Sequence, residues 1–128
     1  MKKIILLSIV LALCGCAGIF DAPRNILGLS TRDLEAERAN SFFQVYDAQY
    51  PEVFESLLAI AKVGQYQVFA QDEIRGLIIL MGIPDVVDTT EVGIFVTLQG
   101  SGVGVEVSSR STPAKRIVAP VLFDALGK

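Results

Sequence analysis

The sequence predicts an α+β fold: a twisted antiparallel sheet of four or five strands, with two helices packed on one face. Three segments alternate apolar and polar residues with the period of a half-buried strand. Two others repeat apolar residues at helical spacing. Short turns between consecutive strands favour antiparallel pairing, and strands with one polar face need helices on one side only. The predicted order is β-α-β-β-β-β-α.

The first half of this domain is predicted to contain a strand, a helix and a strand. Residues 41–46 are rich in aromatic and β-branched residues, which favour a strand. Pro51 suits the first turn of a helix, and apolar residues at helical spacing continue as far as Gly64, a natural stop. Glutamines then alternate with apolar residues in a half-buried second strand. Its apolar residues are Tyr66, Val68 and Ala70.

The second half of the sheet is predicted to be three consecutive strands. Residues 76–82 are apolar on both faces, and residues 84–90 form a polar loop. Residues 91–98 and 103–108 alternate apolar and polar positions. The glycine-rich residues 100–102 between them predict a hairpin turn. A phosphate-binding loop is disfavoured there, because a strand follows where such loops need a helix.

A second helix is predicted to close the chain. Ser111 supplies a hydroxyl cap and Pro113 lies within the first turn. An apolar stripe runs from Ala114 to Ala125, and Gly127 ends the helix. Pro120 has no N–H group to donate within the helix, so it predicts a kink.

Composition excludes several classes of function. The chain has 128 residues, a length that suits one domain after a targeting segment. The net charge is -3 and the isoelectric point about 4.8, so no nucleic-acid partner is expected. Histidine is absent, which removes the commonest general base and metal ligand. No cofactor, metal site or catalytic residue is predicted, and the chain is not expected to be an enzyme.

The N-terminal residues 1–15 are predicted to be a secretory signal peptide. Lys2 and Lys3 precede an apolar run over residues 4–13, and small residues follow it. This run is shorter than the roughly 20 apolar residues that a membrane-spanning helix needs. A cleaved signal is therefore favoured over an uncleaved anchor.

The tetrapeptide Leu13-Cys14-Gly15-Cys16 resembles the bacterial lipobox. The resemblance implies cleavage between Gly15 and Cys16 and attachment of a diacylglycerol to Cys16, which then holds the protein to a membrane by its acyl chains, such as palmitate. Cys14 departs from the pattern, which usually has alanine, serine or threonine there. Two or three acyl chains on one residue anchor a protein almost permanently. Residues 16–40 are then the acylated cysteine and a tether, and residues 41–128 are the domain.

Ala17 follows the modified cysteine. In lipoproteins of this kind an aspartate at that position commonly retains the protein at the inner membrane. Ala17 thus implies an outer-membrane protein that faces the periplasm, if the source is Gram-negative. The chain resembles small, uncharacterised bacterial lipoproteins that carry one helix-on-sheet domain after a short tether. By element order alone, it is more distantly similar to helix-grip modules of accessory lipoproteins in outer-membrane protein assembly.

Four aromatic residues are candidates for a partner surface. Phe42, Tyr46, Phe69 and Phe95 lie out of phase with the helix-facing stripe, or at its margin. Together on the open face of the sheet they would make an apolar patch, which marks a partner or ligand site when it is large. Two alternatives stay open: the tether or a neighbouring chain covers them, or the predicted register is wrong by one residue.

Three functions follow as hypotheses. The first is a non-enzymatic envelope lipoprotein, whose domain binds or braces another envelope protein through its sheet face or edge. The second is a periplasmic small-molecule or lipid binder with a pocket between the helices and the sheet. The third is a hydrolase that uses converging carboxylates in a cleft. The acidic loop with Asp85, Asp88 and Glu91 has the spacing of no compact calcium loop, so ordinary turn residues are favoured there.

Overall fold

Five strands form one antiparallel sheet in a computed structural model that describes residues 31–128. Residues 33–128 make one compact unit. A short 3-10 helix, Glu37–Asn40, precedes the first strand. The elements then follow in the order β1 Phe42–Tyr46, α1 Tyr50–Val63, β2 Gln67–Asp72, β3 Leu77–Met81, β4 Val92–Gln99, β5 Gly102–Ser108 and α2 Thr112–Leu126.

The spatial order of the strands is β1-β5-β4-β3-β2, and every neighbouring pair is antiparallel. Consecutive strands from β2 to β5 are therefore neighbours, whereas β1 pairs with the last strand. The two edges of the sheet are β1 and β2, the first two strands along the chain. The α+β class, the strand and helix order and the antiparallel sheet confirm the prediction.

The main core lies between the sheet and the two long helices. Alternate residues of β3, β4 and β5 point to this side, because successive side chains of a strand face opposite ways. Leu57, Val118 and Leu122 of the helices pack against them with no exposed surface. The buried strand residues of this core are Ile78, Leu80, Val92, Ile94, Val96, Val103, Val105 and Val107.

A smaller core lies on the face of the sheet opposite the helices. Leu34 packs there against Leu77, Ile79 and Phe95, and only 2% of Leu34 is exposed. The Ser108 hydroxyl donates a hydrogen bond of 2.7 Å to the Leu34 carbonyl oxygen. The compact unit therefore begins eight residues before the predicted domain boundary at residue 41, and part of the predicted tether covers this sheet face.

The second strand departs from simple alternation. Its register against β3 shifts between Val68 and Ala70, so Phe69 is the extra residue of a β-bulge. Val68 pairs with Leu80 of the helix-side core, whereas Ala70 pairs with Ile79 of the smaller core. The prediction that Val68 and Ala70 share one face was wrong for this reason.

The turns and caps follow the predicted chemistry. Gly100 and Ser101 make a two-residue hairpin turn in which only the glycine has a positive φ, as in a type II′ turn. The Ser111 hydroxyl accepts a hydrogen bond from the Ala114 amide at the start of α2. The helix continues through Pro120 to Leu126. None of the helices within residues 31–128 is long and apolar enough to cross a membrane.

Candidate functional site

The β1 strand is an edge of the sheet. Within residues 31–128 it pairs only with β5, so no strand from this part of the chain lies beside the backbone groups on its other side. The sequence Phe42–Tyr46 contains no charged residue, and its pairing with β5 runs without a bulge. Phe42, Phe43 and Val45 are 41%, 49% and 49% exposed. A straight, uncharged and apolar edge of this kind is a template for pairing with another strand.

The opposite edge, β2, is built differently. The bulge at Phe69 interrupts its ladder, and Gln67, Gln71 and Asp72 place polar groups along it. Phe69 is 47% exposed, as much as Phe43 of β1, so exposure of an aromatic residue does not by itself distinguish the edges. Bulges and charges are the usual means by which proteins prevent edge-to-edge association. The β2 edge has both, and the β1 strand has neither.

A groove runs along the helix side of β1. Phe42 and Gln44 form its floor, and residues of α2 form its wall. Its volume is about 290 Å³, just below the usual range for small-molecule sites, which starts at about 300 Å³. The wall residues are Arg116, Ala119, Pro120, Phe123 and Asp124. The groove is therefore apolar, with one positive and one negative side chain in its wall.

Lys115 fixes one end of β1 to α2. Its Nζ donates a hydrogen bond of 2.7 Å to the Asn40 carbonyl oxygen and lies 5.9 Å from the centre of the Phe42 ring. Only 5% of Lys115 is exposed. Lys115 is therefore buried in spite of its charge, and the chain before β1 supplies its hydrogen-bond acceptor.

Tyr46 fixes the other end. Its Oη lies 3.2 Å from the Phe123 carbonyl oxygen and 3.2 Å from Oε1 of Gln44, so the phenol has two acceptors within reach. Burial raises the pKa of the Tyr46 phenol, and the negative charge of Asp124 raises it further. Tyr46 is therefore a neutral donor at physiological pH, and it holds β1 against the C-terminal part of α2.

On the face opposite the helices, Phe43 lies across β5. A Cβ atom at Gly104 would come within 2.8 Å of the Phe43 ring, so the glycine gives the ring its space. Val45 pairs with Gly104 in the same ladder. Phe43 and Val45 thus present a second apolar surface along the same edge.

The four aromatic residues singled out from the sequence do not share one face. Phe42 and Tyr46 pair with core residues of β5 and lie on the helix side. Phe69 is on β2, at the opposite edge of the sheet. Phe95 is on the other face but is only 6% exposed, with the Arg38 guanidinium 4.5 Å from its ring centre. Cover by the chain before β1, one of the alternatives considered from the sequence, therefore explains why Phe95 is buried.

Sequence reasoning missed Phe43 and Val45, which with Phe42 carry the exposed surface of β1. Their signal was the uncharged run Phe42–Tyr46, in which both alternating faces are apolar. A strand that is apolar on both faces is expected to be central and covered. Here it lies at an edge, which the sequence alone does not show.

The other predicted features are placed as follows. Gly15 and Cys16 lie outside the described residues. Within residues 31–128, no three histidine, cysteine or acidic residues are grouped closely enough to hold a metal ion, and this includes the loop of Asp85, Asp88 and Glu91. The groove beside β1 contains one carboxylate, that of Asp124, so it does not bring two carboxylates together. Where a pocket between helices and sheet was considered, core side chains are packed, and the groove between α2 and β1 lies at the edge of this interface.

Comparison with known proteins assigns no role to this site. No protein-family model matches the chain, and a search of curated proteins finds no match.

Proposed function

We propose that the chain is a lipid-anchored bacterial envelope protein with a non-enzymatic folded unit, which binds a protein partner by strand pairing along β1. The observation that carries the proposal is the contrast between the two sheet edges. One edge is straight, uncharged and apolar, and the other is bulged and polar. An unprotected edge of this kind favours association with another strand. A strand bound to β1 would explain why β1 lacks the bulge and the charge that protect β2.

Strand addition matches the surroundings of β1. The backbone of the added strand would hydrogen-bond to β1, and its alternate side chains would meet different surfaces. Side chains on the helix side would meet the groove between Phe42 and Phe123. Those on the other side would meet Phe43 and Val45. Backbone bonds supply affinity in this mode, and the two surfaces supply specificity.

The anchor in this proposal is Cys16. The lipobox-like sequence before it and the basic, apolar N-terminus support processing and acylation at this residue. The residues between Cys16 and Asp33 then separate the folded unit from the bilayer. Ala17 supports the outer membrane, facing the periplasm, as the location in a Gram-negative source.

The binding edge is tested by photo-crosslinking in membranes of cells that produce the full chain. A photoreactive amino acid replaces Val45 of β1 or, as the matched control, Phe69 of β2, which has a similar exposed fraction. We expect protein adducts from position 45 and several-fold less from position 69. Equal yields at both positions, or no adduct at position 45, would overturn strand pairing at β1.

The anchor is tested by mass spectrometry of the mature N-terminus. We expect the chain to begin at Cys16 and to carry the mass of a diacylglycerol on that residue. The Cys16→Ser variant should lose the acyl mass and leave the membrane fraction. A native product that begins with Met1, or that stays in buffer without detergent, contradicts the anchor.

The groove beside β1 favours a second candidate function, the binding of a small amphipathic anion such as a fatty acid. Phe42, Pro120 and Phe123 offer an apolar surface, and Arg116 offers a cation at its wall. Native mass spectrometry of the purified protein separates this function from the first. A bound small molecule that is lost in the Arg116→Gln variant supports it, and a protein without bound mass contradicts it.

A further inference from the structure

The β1 strand is complementary to itself. Two copies related by a two-fold axis perpendicular to the sheet would pair their β1 strands antiparallel and keep the helices of both copies on one face. Only an axis at Gln44 places each of the five strand residues opposite a β1 residue of the other copy. We infer that the occupant of the β1 edge is a second copy of this chain, an inference that rests on the proposed function.

The residues that meet in this register match in character. Phe43 of each copy lies opposite Val45 of the other, on the face away from the helices. Each of these residues is 49% exposed in the single chain, and the pairing covers both. Pairs of an aromatic and a β-branched side chain across two strands are favourable. Phe42 meets Tyr46 on the helix side, and the two Gln44 side chains, which carry donors and acceptors, meet at the axis.

The helix beside β1 is centred on the same axis. Lys115 contacts Asn40 and Phe42 at one end of the strand, and Phe123 contacts Tyr46 at the other. The middle of this stretch of α2 is Ala119, which lines the groove together with Pro120 and Gln44, so an axis at Gln44 passes close to both helix residues. This alignment comes from contacts within one chain, so it supports the register independently of the side chains on β1.

The charges in the groove wall then become complementary. Arg116 and Asp124 lie four residues before and after Pro120, and both line the groove. A two-fold axis near Pro120 brings Arg116 of each copy toward Asp124 of the other. Strand pairing alone buries less than the roughly 800 Å² per partner of a stable interface. The two α2 helices would supply the remaining contacts.

The same symmetry suits two anchored chains. Leu34 packs on the face away from the helices, so the compact unit of each copy begins on that face. An axis perpendicular to the sheet leaves both copies of Leu34 on the same side. This arrangement is compatible with two chains anchored in one bilayer. Confinement to one membrane also raises the effective concentration of the partners.

The register is tested with single cysteines in the full chain, isolated in membranes and treated with a mild oxidant. Residues directly opposite in antiparallel strands have Cα atoms about 4.5–5.5 Å apart, within the range of a disulfide. We expect Gln44→Cys to form a covalent dimer, with the 44–44 linkage identified in the digested peptides. A mixture of Phe43→Cys and Val45→Cys chains should also link. Phe43→Cys alone should link several-fold less, since its two copies are offset along the strands.

The unmodified chain and Phe69→Cys are the controls for the native cysteines and for random collision. Equal linkage from Phe43→Cys, Gln44→Cys and Phe69→Cys would overturn the register, and no linkage from Gln44→Cys would overturn the second copy as the occupant.

A charge reversal tests the helix contact. In the Gln44→Cys background, Arg116→Glu should lower the disulfide yield several-fold, because it places two acidic groups together. Adding Asp124→Arg to the same chain should restore the yield. Within one helix these residues are too far apart to pair, so restoration reports contact between copies. Loss without restoration contradicts the proposed helix contact.

The two proposals fail in different ways. If position 45 crosslinks a different protein and Gln44→Cys gives no dimer, strand pairing at β1 stands and the second copy is excluded. If position 45 crosslinks nothing and Gln44→Cys gives no dimer, both fall.

Discussion

Arg38 and Glu106 form a two-bond ion pair on the face of the sheet opposite the helices. Arg38 Nε lies 2.7 Å from Glu106 Oε2, and Arg38 Nη2 lies 3.1 Å from Oε1. The guanidinium also covers the ring of Phe95, with 4.5 Å between Cζ and the ring centre. Hydrogen bonding to Glu106 raises the pKa of Arg38. This pair and the buried Leu34 hold the chain before β1 against the sheet, so residues 33–40 belong to the fold.

The first prediction concerns this ion pair. Its side chains are 36% and 17% exposed, so water screens part of the attraction. We expect a coupling free energy of about 1 kcal/mol between Arg38→Met and Glu106→Gln. A double-mutant cycle from urea unfolding measures it. Single effects that add without coupling, or a coupling unchanged by high salt, would contradict the direct pair.

The second prediction concerns Leu34. Because this side chain is buried against Ile79 and Phe95, Leu34→Ala should lower the free energy of unfolding by about 2–5 kcal/mol. Ile74→Ala is the control, since Ile74 is 98% exposed and should change stability by less than about 0.5 kcal/mol. Urea unfolding of both variants is the measurement. Equal, small effects would mean that the domain begins after Leu34.

The third prediction concerns two glycines with positive φ. A Cβ atom at Gly76 (φ 69°) would come within 2.1 Å of the Val96 carbonyl oxygen, whereas one at Gly100 (φ 59°) meets nothing within 4 Å. Gly100→Ala should therefore cost only the backbone strain, about 1 kcal/mol. Gly76→Ala should cost several-fold more, because β3 must also move away from β4. Thermal unfolding of the two variants compares them, and equal losses would show that the close contact is relieved without cost.

The fold was largely predictable because local patterns and global packing agree. Three strands and both long helices were recognisable from periodicity, β1 and β3 from their aromatic, β-branched and apolar residues, and Gly64 and Ser111 mark helix ends that the structure confirms. Two features had no such local signal. The bulge at Phe69 places Ala70 on the face opposite the predicted one. It does so by shifting the pairing of β2 with β3, so it depends on both strands. The cover over Phe95 depends on Leu34 and Arg38, from a segment whose apolar face is thin.

The candidate site was less predictable than the fold for a topological reason. Strand β1 pairs with β5, about sixty residues later in the chain, and this long-range pairing makes it an edge. An apolar pattern on both faces of Phe42–Tyr46 favours a covered strand. Only the strand order shows that it is an edge of the sheet formed by residues 31–128, and the contacts of Lys115 and Tyr46 show which helix lies beside it.

The last prediction concerns the tyrosines and alkaline pH. Burial raises the pKa of Tyr46, Tyr50 and Tyr66 above the ordinary value of 10.0. The folded state therefore holds these protons to higher pH than the unfolded state does. Their contribution to stability is complete below about pH 10, and it is lost as the pH rises through the folded pKa values.

Tyr66→Phe isolates one of these groups, because it removes the ionisable hydroxyl and keeps the aromatic ring in the core, where Tyr66 is 8% exposed. We expect the melting temperature of the wild-type chain to fall between pH 9 and pH 11, and that of Tyr66→Phe to fall less. Scanning calorimetry at fixed ionic strength across this range is the measurement. Parallel decreases for the two proteins would mean that Tyr66 ionises equally well in both states and that other groups cause the alkaline loss.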